Sequence, residues 1–179
     1  MEKEGDVSNS IREGNISLIL DSYEDIFSDF DPRPYSERGL SDDFIGECRR
    51  AIREHTGGVE LRLMVPRKKR KLEDEKLIKR RIEDHIRKHF KQKQDEIKKL
   101  KQTGIKWIIL GTILMFGTAL VKTYKSSFLI NLLFVIAEPA GWFSFWEGLG
   151  KIFIDSEDKN PEYEFYKKMS KTKIIFLSY

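Results

Sequence analysis

The alternation of apolar and polar positions changes period repeatedly along the chain, and each change predicts an element. Ile16-Ser17-Leu18-Ile19-Leu20 is short, apolar and β-branched, the pattern of a buried strand. Residues 21–35 follow with Pro32, Pro34 and repeated Asp and Ser, which predict a loop. A loop of that length in a small domain is usually either functional or poorly ordered. Ser41-Asp42-Asp43 then forms a helix start: the Ser41 hydroxyl accepts from first-turn amides, and two carboxylates sit at the positive end of the helix dipole. Phe44, Ile45, Cys48, Ala51 and Ile52 recur at helical spacing, and Gly57-Gly58 ends the helix. Val59-Glu60-Leu61-Arg62-Leu63-Met64-Val65 alternates apolar and polar residues and stops at Pro66, a strand with one face buried. Strand, helix, strand predicts two parallel strands joined by a right-handed crossover.

From Leu72 the period becomes helical. Leu77, Ile78, Ile82, Ile86 and Phe90 mark a stripe, and Ile97 and Leu100 prolong it. The same three-four spacing continues through Gly104, Trp107, Gly111, Leu114, Thr118 and Val121, with no proline between. The prediction is one continuous helix of about 50 residues, about 75 Å long at 1.5 Å per residue. Its second part is apolar: within residues 105–124 only Lys106 and Lys122 are charged, and both lie near an end where the side chain reaches water. Twenty helical residues span about 30 Å, the thickness of a bilayer's hydrocarbon core. Trp107 and Tyr124 stand at the two ends, where aromatic residues favour the interface. Residues 128–146 form a second apolar run. The connector between them is short, so the two runs predict an antiparallel hairpin. A buried soluble helix pair is the alternative, but the remaining chain is too small to surround it.

After the hairpin, Pro161-Glu162-Tyr163-Glu164-Phe165-Tyr166-Lys167-Lys168-Met169 predicts a short helix and Lys173-Ile174-Ile175-Phe176-Leu177-Ser178-Tyr179 a strand. A free apolar tail invites aggregation, so residues 174–177 are expected to complete the sheet begun by the first two strands. The expected fold class is an α+β membrane protein. A small cytosolic α/β domain, β-α-β plus a C-terminal strand, carries an inserted long helix and a two-helix transmembrane hairpin. The divisions are a disordered 1–15, the first part of the α/β domain at 16–71, a charged amphipathic helix at 72–104, membrane helices at 105–124 and 128–150, and a closing helix and strand at 155–179.

Charge adds orientation. The net charge is only +4, but between Arg67 and Lys106 there are 17 Lys and Arg against 7 Asp and Glu. This excess outweighs the two lysines of the connector, so the positive-inside rule places residues 1–104 and the C-terminus in the cytoplasm. Taken alone, Arg67-Lys68-Lys69-Arg70-Lys71 suggests a nucleic-acid patch. In a chain that spans a bilayer, attraction to headgroups, solvation or pairing with its own acidic loop takes precedence, so nucleic acid is not expected as a partner. The single Cys48 excludes an internal disulfide. The acidic, polar N-terminus lacks a signal-peptide layout.

Candidate chemistry is sparse. Asp21, Asp25, Asp29 and Asp31 offer hard oxygen ligands for Mg²⁺ or Ca²⁺, although the spacing fits no defined calcium loop and such residues more often bond their own backbone. Arg33 and Tyr35, between and after prolines, suit an anionic ligand, or Arg33 pairs with the neighbouring aspartates. His85 and His89 stand at i, i+4 without a third ligand in pattern, and Cys48 falls on a buried helix face. In the second span Asn131, Glu138 and Pro139 interrupt the apolar run. An intramembrane carboxylate costs at least ~2.5 kcal/mol on insertion scales, which makes Glu138 a candidate site or a hydrogen-bonded structural residue. For a tight hairpin, depths match where residue numbers sum to about 250. Thr112 would then lie level with Glu138 and donate to it, Asn131 level with Thr118 or Ala119, and Glu147 within reach of Lys106 or Lys99. Gly104, Gly111 and Thr118 on one helix and Gly141, Ser144 and Gly148 on the other form small-residue seams, which pack helices within a hairpin or between subunits. No phosphate-binding loop, dinucleotide fingerprint, nucleophile elbow or Cys pair is present, so no cofactor is expected.

Two segments carry a resemblance: Ser22-Tyr23-Glu24-Asp25-Ile26-Phe27-Ser28-Asp29-Phe30-Asp31-Pro32-Arg33-Pro34-Tyr35 and Glu138-Pro139-Ala140-Gly141-Trp142-Phe143-Ser144-Phe145-Trp146-Glu147-Gly148. Through them the chain resembles a group of small prokaryotic two-pass membrane proteins with no assigned activity. The resemblance implies an inner-membrane setting and names no substrate. The leading expectation is a non-enzymatic homo-oligomer in the lipid bilayer. Its cytosolic domain would bind a protein or an anionic ligand, coupled to the hairpin by the long helix. The alternatives are an ion or proton pathway through Glu138 and a membrane-anchored, metal-dependent enzyme using the loop 21–31.

Overall fold

A computed structural model describes residues 16–54, 60–121 and 127–179. The expectations for residues 1–15, for Gly57-Gly58 and for connector residues 122–126 lie outside the described residues. The fold is mixed helix and sheet, and the chain divides into two compact units. One comprises residues up to Lys91 together with Glu164–Tyr179; the other is Gln92–Tyr163.

The first unit is built on three strands, β1 (Ile16–Ile19), β2 (Glu60–Val65) and β3 (Lys173–Ser178), in the order β1-β2-β3 and parallel throughout. Leu61 aligns with Ile16 on one side and Ile174 on the other, and Leu63 aligns with Leu18 and Phe176. Segments far apart in sequence thus meet in one sheet, and period-two alternation keeps their apolar side chains on a common face. That face packs with three helical segments. Helix α1 (Asp42–Glu54) contributes Phe44, Ile45, Cys48 and Ile52. Its start is capped as expected, with the Ser41 hydroxyl accepting from the Asp43 amide at 3.2 Å. The beginning of helix α2 (Leu72–Val121) contributes Ile78, Ile82 and Ile86, and the end of helix α4 (Asn160–Met169) contributes Phe165, Tyr166 and Met169. Fully buried side chains such as Leu61, Leu63, Ile78 and Ile82 stabilise the unit by about 1.5–3 kcal/mol each.

The segment after β1 is more ordered than its composition suggests. Tyr23–Ile26 forms a 3₁₀ turn closed by a capping box between Ser22 and Asp25, and Phe27 bridges Leu40. Tyr23, Ile26 and Phe27 are buried in the core. Three large side chains without a regular period escape a pattern search, yet they suffice to pin a loop.

The second unit contains the remainder of α2, helix α3 (Phe128–Gly150), a wide turn at Lys151–Asp155, a short helical turn at Ser156–Asp158 and the first residues of α4. Helices α2 and α3 meet at their glycines. A Cβ on Gly111 would lie 2.5 Å from the Phe145 amide nitrogen and 2.6 Å from the Gly141 carbonyl. A Cβ on Gly148 would lie 2.5 Å from the Gly104 carbonyl. Of the two uses the sequence allowed for the seams, the structure shows packing within the hairpin. Thr118 and Ser144 are buried beside the seam and donate to their own helix, to Met115 O at 2.8 Å and Ala140 O at 2.7 Å.

Away from the seam the apolar side chains are uncovered. Only 17% and 11% of the most apolar windows of the two helices are buried. The core helix of a soluble protein would hide most of that surface. Both helices are long and apolar enough to cross a membrane.

Candidate functional site

Open α/β sheets bind ligands beyond the carboxyl ends of their strands. At that end of β1 lies a cleft of about 280 Å³, bounded by Leu18, Ile19, Leu20 and Phe44 and by four carboxylates, Asp21, Asp25, Asp43 and Glu47. Asp21 is there because β1 runs into it, and Asp43 and Glu47 stand one turn apart on α1. Asp25 is turned back to the chain and accepts from the amides of Asp21 at 2.7 Å and Ser22 at 2.9 Å. The sequence reading included Asp21 and Asp25 but assigned Asp43 to capping and overlooked Glu47. Their i, i+4 spacing on the polar face of α1 was the available signal.

The other loop candidates are held elsewhere. Asp31 accepts from the Arg33 guanidinium at 2.7 and 2.9 Å and from the Gly39 amide at 2.7 Å. The guanidinium holds the Asp31 carboxyl well below the usual carboxylate range. Arg33 is thereby engaged by Asp31, as the neighbouring aspartates allowed. Tyr35 stacks on Phe27 with ring centroids 5.1 Å apart and donates to Glu24 Oε1 at 2.7 Å, which pushes its hydroxyl up to about 12. Glu24 also pairs with Arg38. Asp29 lies in the exposed turn between these groups and does not line the cleft. Among the described residues no group of three or more His, Cys, Asp or Glu is placed to hold a metal ion.

The rings of His85 and His89 lie 4.3 Å apart, and His89 stacks on Tyr166 at 5.3 Å. Burial, then the neighbouring His89, pushes His85 down to about 4, so it is neutral at pH 7. Cys48 is fully buried, and burial raises its thiol to about 12, which makes it a core residue rather than a nucleophile.

One polar cluster in this unit has no counterpart among the expected sites. Glu75 is buried and accepts from Arg70 Nε at 2.7 Å, from Arg70 Nη2 at 2.9 Å and from the Tyr23 hydroxyl at 2.9 Å. Arg70 also reaches the Phe176 carbonyl at 3.3 Å, and the Lys71 amide donates to the Tyr23 hydroxyl at 2.9 Å. The cluster ties the start of α2 to β3 and to the loop after β1. Its signal in the sequence is that Glu75 continues the buried stripe of Ile78, Ile82 and Ile86 backwards by three residues. Replacing Glu75 by Ala strands the cation and is expected to cost about 3 kcal/mol of stability. The Arg70 hydrogen bonds hold the Glu75 carboxyl below its ordinary value. Its contribution is therefore complete above the unfolded carboxyl's pKa, about 4.3, and is lost as pH falls through the lower folded value. Thermal melts of E75Q and the parent should differ most at neutral pH and converge in acid.

In the second unit, Glu138 is exposed and borders a groove of about 480 Å³ with Met115, Thr118, Ala119, Pro139 and Trp142. Two expected pairings are not formed. Thr112 donates to Ile108 O of its own helix at 2.7 Å rather than to Glu138. Glu147 pairs with Lys151 at 2.7 Å, one turn along, rather than with Lys106 or Lys99. Asn131 lies exposed in the first turns of α3, its backbone amide donating to Ser127 O at 3.1 Å. The cause is a shift of register. The facing pairs Gly104·Gly148 and Gly111·Gly141 sum to 252, because the helices settle where their glycine backbones oppose one another. Glu138 instead borders the groove with Met115 and Thr118.

Comparisons of this chain with protein-family models, with curated proteins and with solved structures return no match.

Proposed function

We propose that this chain is a non-enzymatic, oligomeric two-pass protein of an inner membrane with cytoplasmic termini, in which the sheet-bearing unit binds a partner and helix α2 couples that unit to the hairpin. The observation that carries this reading is that α2 belongs to both units. It supplies Ile78, Ile82 and Ile86 to the core of the first and Gly104 and Gly111 to the seam of the second, with no proline along its 50 residues. The four carboxylates of the cleft after β1 favour a cationic partner such as a basic peptide segment. The glycine seam is consumed inside the hairpin, so contacts between copies would use the outer faces.

The test is proteolysis of the protein in native membranes together with its oligomeric state in detergent. The chain between Lys71 and Gly104 is expected to resist cleavage, and the particle to exceed a monomer. Ready cleavage within that stretch, or a monodisperse monomer, overturns coupling or assembly respectively. A second reading, an ion or proton pathway, rests on the Glu138 groove. It requires that E138Q abolish flux in liposomes; unchanged flux removes Glu138 from any pathway. The metal-dependent enzyme is the least supported, because Asp25 accepts from its own backbone and Asp31 from Arg33 and Gly39.

A further inference from the structure

Within the second unit, a groove of about 430 Å³ runs between α2 and the start of α4, lined by residues that include Ile97, Lys98, Lys101, Ile105, Asn160 and Tyr163. Its position along the chain is specific. Ile105 is the first residue of the apolar stretch of α2, and Lys106 is the last charge before Val121. On the returning chain, the seam contact of Gly104 with Ile152 fixes the matching level, and Phe153 and Ile154 there are exposed and apolar. The groove therefore begins where uncovered apolar surface ends on both segments. Its polar end carries two cations and its other end Ile105, the polarity order of a phospholipid.

The charges in this unit are not equivalent. Lys93 is neutralised by Glu162 at 2.6 Å and Glu96 at 3.4 Å, and Lys151 by Glu147 at 2.7 Å. Lys98 and Lys101 make no ion pair among the described residues, although Asp and Glu are available on the same helices. They stand at i, i+3 on α2 and so share one face. Two unneutralised ammonium groups beside an apolar wall at the edge of a hydrocarbon-thick helix pair are the chemistry that retains a phosphate with acyl chains attached. We propose that this groove is a binding site for an anionic glycerophospholipid, its headgroup phosphate held by Lys98 and Lys101 and its chain leaving past Ile105 along the apolar part of α2. The inference rests on the reading that the hairpin spans a bilayer.

The experiment is native mass spectrometry of the full chain in non-ionic detergent with equal amounts of phosphatidylglycerol and phosphatidylcholine. The parent should retain phosphatidylglycerol preferentially. K98Q/K101Q should weaken that retention about thirty-fold, at the usual worth of two juxtamembrane lysines. K98R/K101R should restore it, which separates lost charge from misfolding. K99Q/K106Q, lysines of the same helix outside the groove lining, should leave it within about two-fold. Equal retention of the two lipids, or equal loss from K99Q/K106Q, overturns the site. Displacement of the lipid by millimolar inorganic phosphate also overturns it, because the groove would then be a free-phosphate site. Release of the protein from membranes by alkaline carbonate would instead refute the spanning hairpin, and is read independently of any lipid count.

Discussion

Gly111→Val is expected to break the hairpin. A single Cβ at this position already meets two backbone atoms, the Phe145 nitrogen and the Gly141 carbonyl, at 2.5 and 2.6 Å. Neither is the end of a flexible side chain, so the helices can only separate. Overpacking in a well-packed contact costs up to about 3 kcal/mol, and two further methyl groups place this variant at the upper end. Reversible unfolding in mixed micelles measures it. Gly117→Ala is the internal control, because nothing lies within 4 Å of its added Cβ. There the gain in helix propensity should leave stability unchanged or raise it by about 0.5–1 kcal/mol. If Gly111→Val melts with the parent, the seam is not what holds the helices together.

Deletion of residues 174–179 is expected to abolish cooperative folding of the sheet-bearing unit. The strand pairs with β2 from Glu60↔Lys173 to Val65↔Ser178 and places Ile174 in the core. It also receives Arg70 of the buried ion pair at Phe176 O, and Tyr179 O accepts from the Arg67 amide at 3.1 Å. Its loss would leave β2 as an edge strand with Leu61 and Leu63 uncovered, and a two-stranded sheet is marginal on its own. The prediction is read as loss of the thermal transition and rapid proteolysis of residues 16–91. Ile174→Ala is the graded version, with an expected cost of about 2–4 kcal/mol for the cavity it leaves. A normal melt of the truncated chain would refute the strand's role.

Most of the secondary structure was legible because its periods are strong. Alternation marks β2, the stripe from Phe44 to Ile52 marks α1, and an unbroken three-four spacing marks α2. The placement of β3 in the sheet was legible for a different reason, since an apolar tail needs a partner. What resisted reading depends on contacts rather than periods. Ile26 and Phe27 order the loop after β1 without forming a repeat. Glu75 appears as one charge among many until its burial beside Arg70 is known. The register of the hairpin follows from where glycines oppose one another, two positions away from the simplest geometric estimate, and Glu138 borders a groove with Met115 and Thr118. The cleft after β1 combines residues about twenty positions apart, Asp21 and Asp25 with Asp43 and Glu47, so only half of it was visible along the chain.

The placement of β3 beside β2 also imposes an order on biosynthesis. Every residue of the hairpin is made before the strand that closes the sheet, so β1, α1 and β2 emerge from the ribosome without their last partner. Parallel pairing across such a sequence separation is slow, because the loop must close before any contact rewards it. The waiting half-sheet exposes the unpaired edge of β2 meanwhile, the kind of surface that chaperones recognise. Synthesis of the two apolar helices is thereby placed ahead of the closing of the sheet.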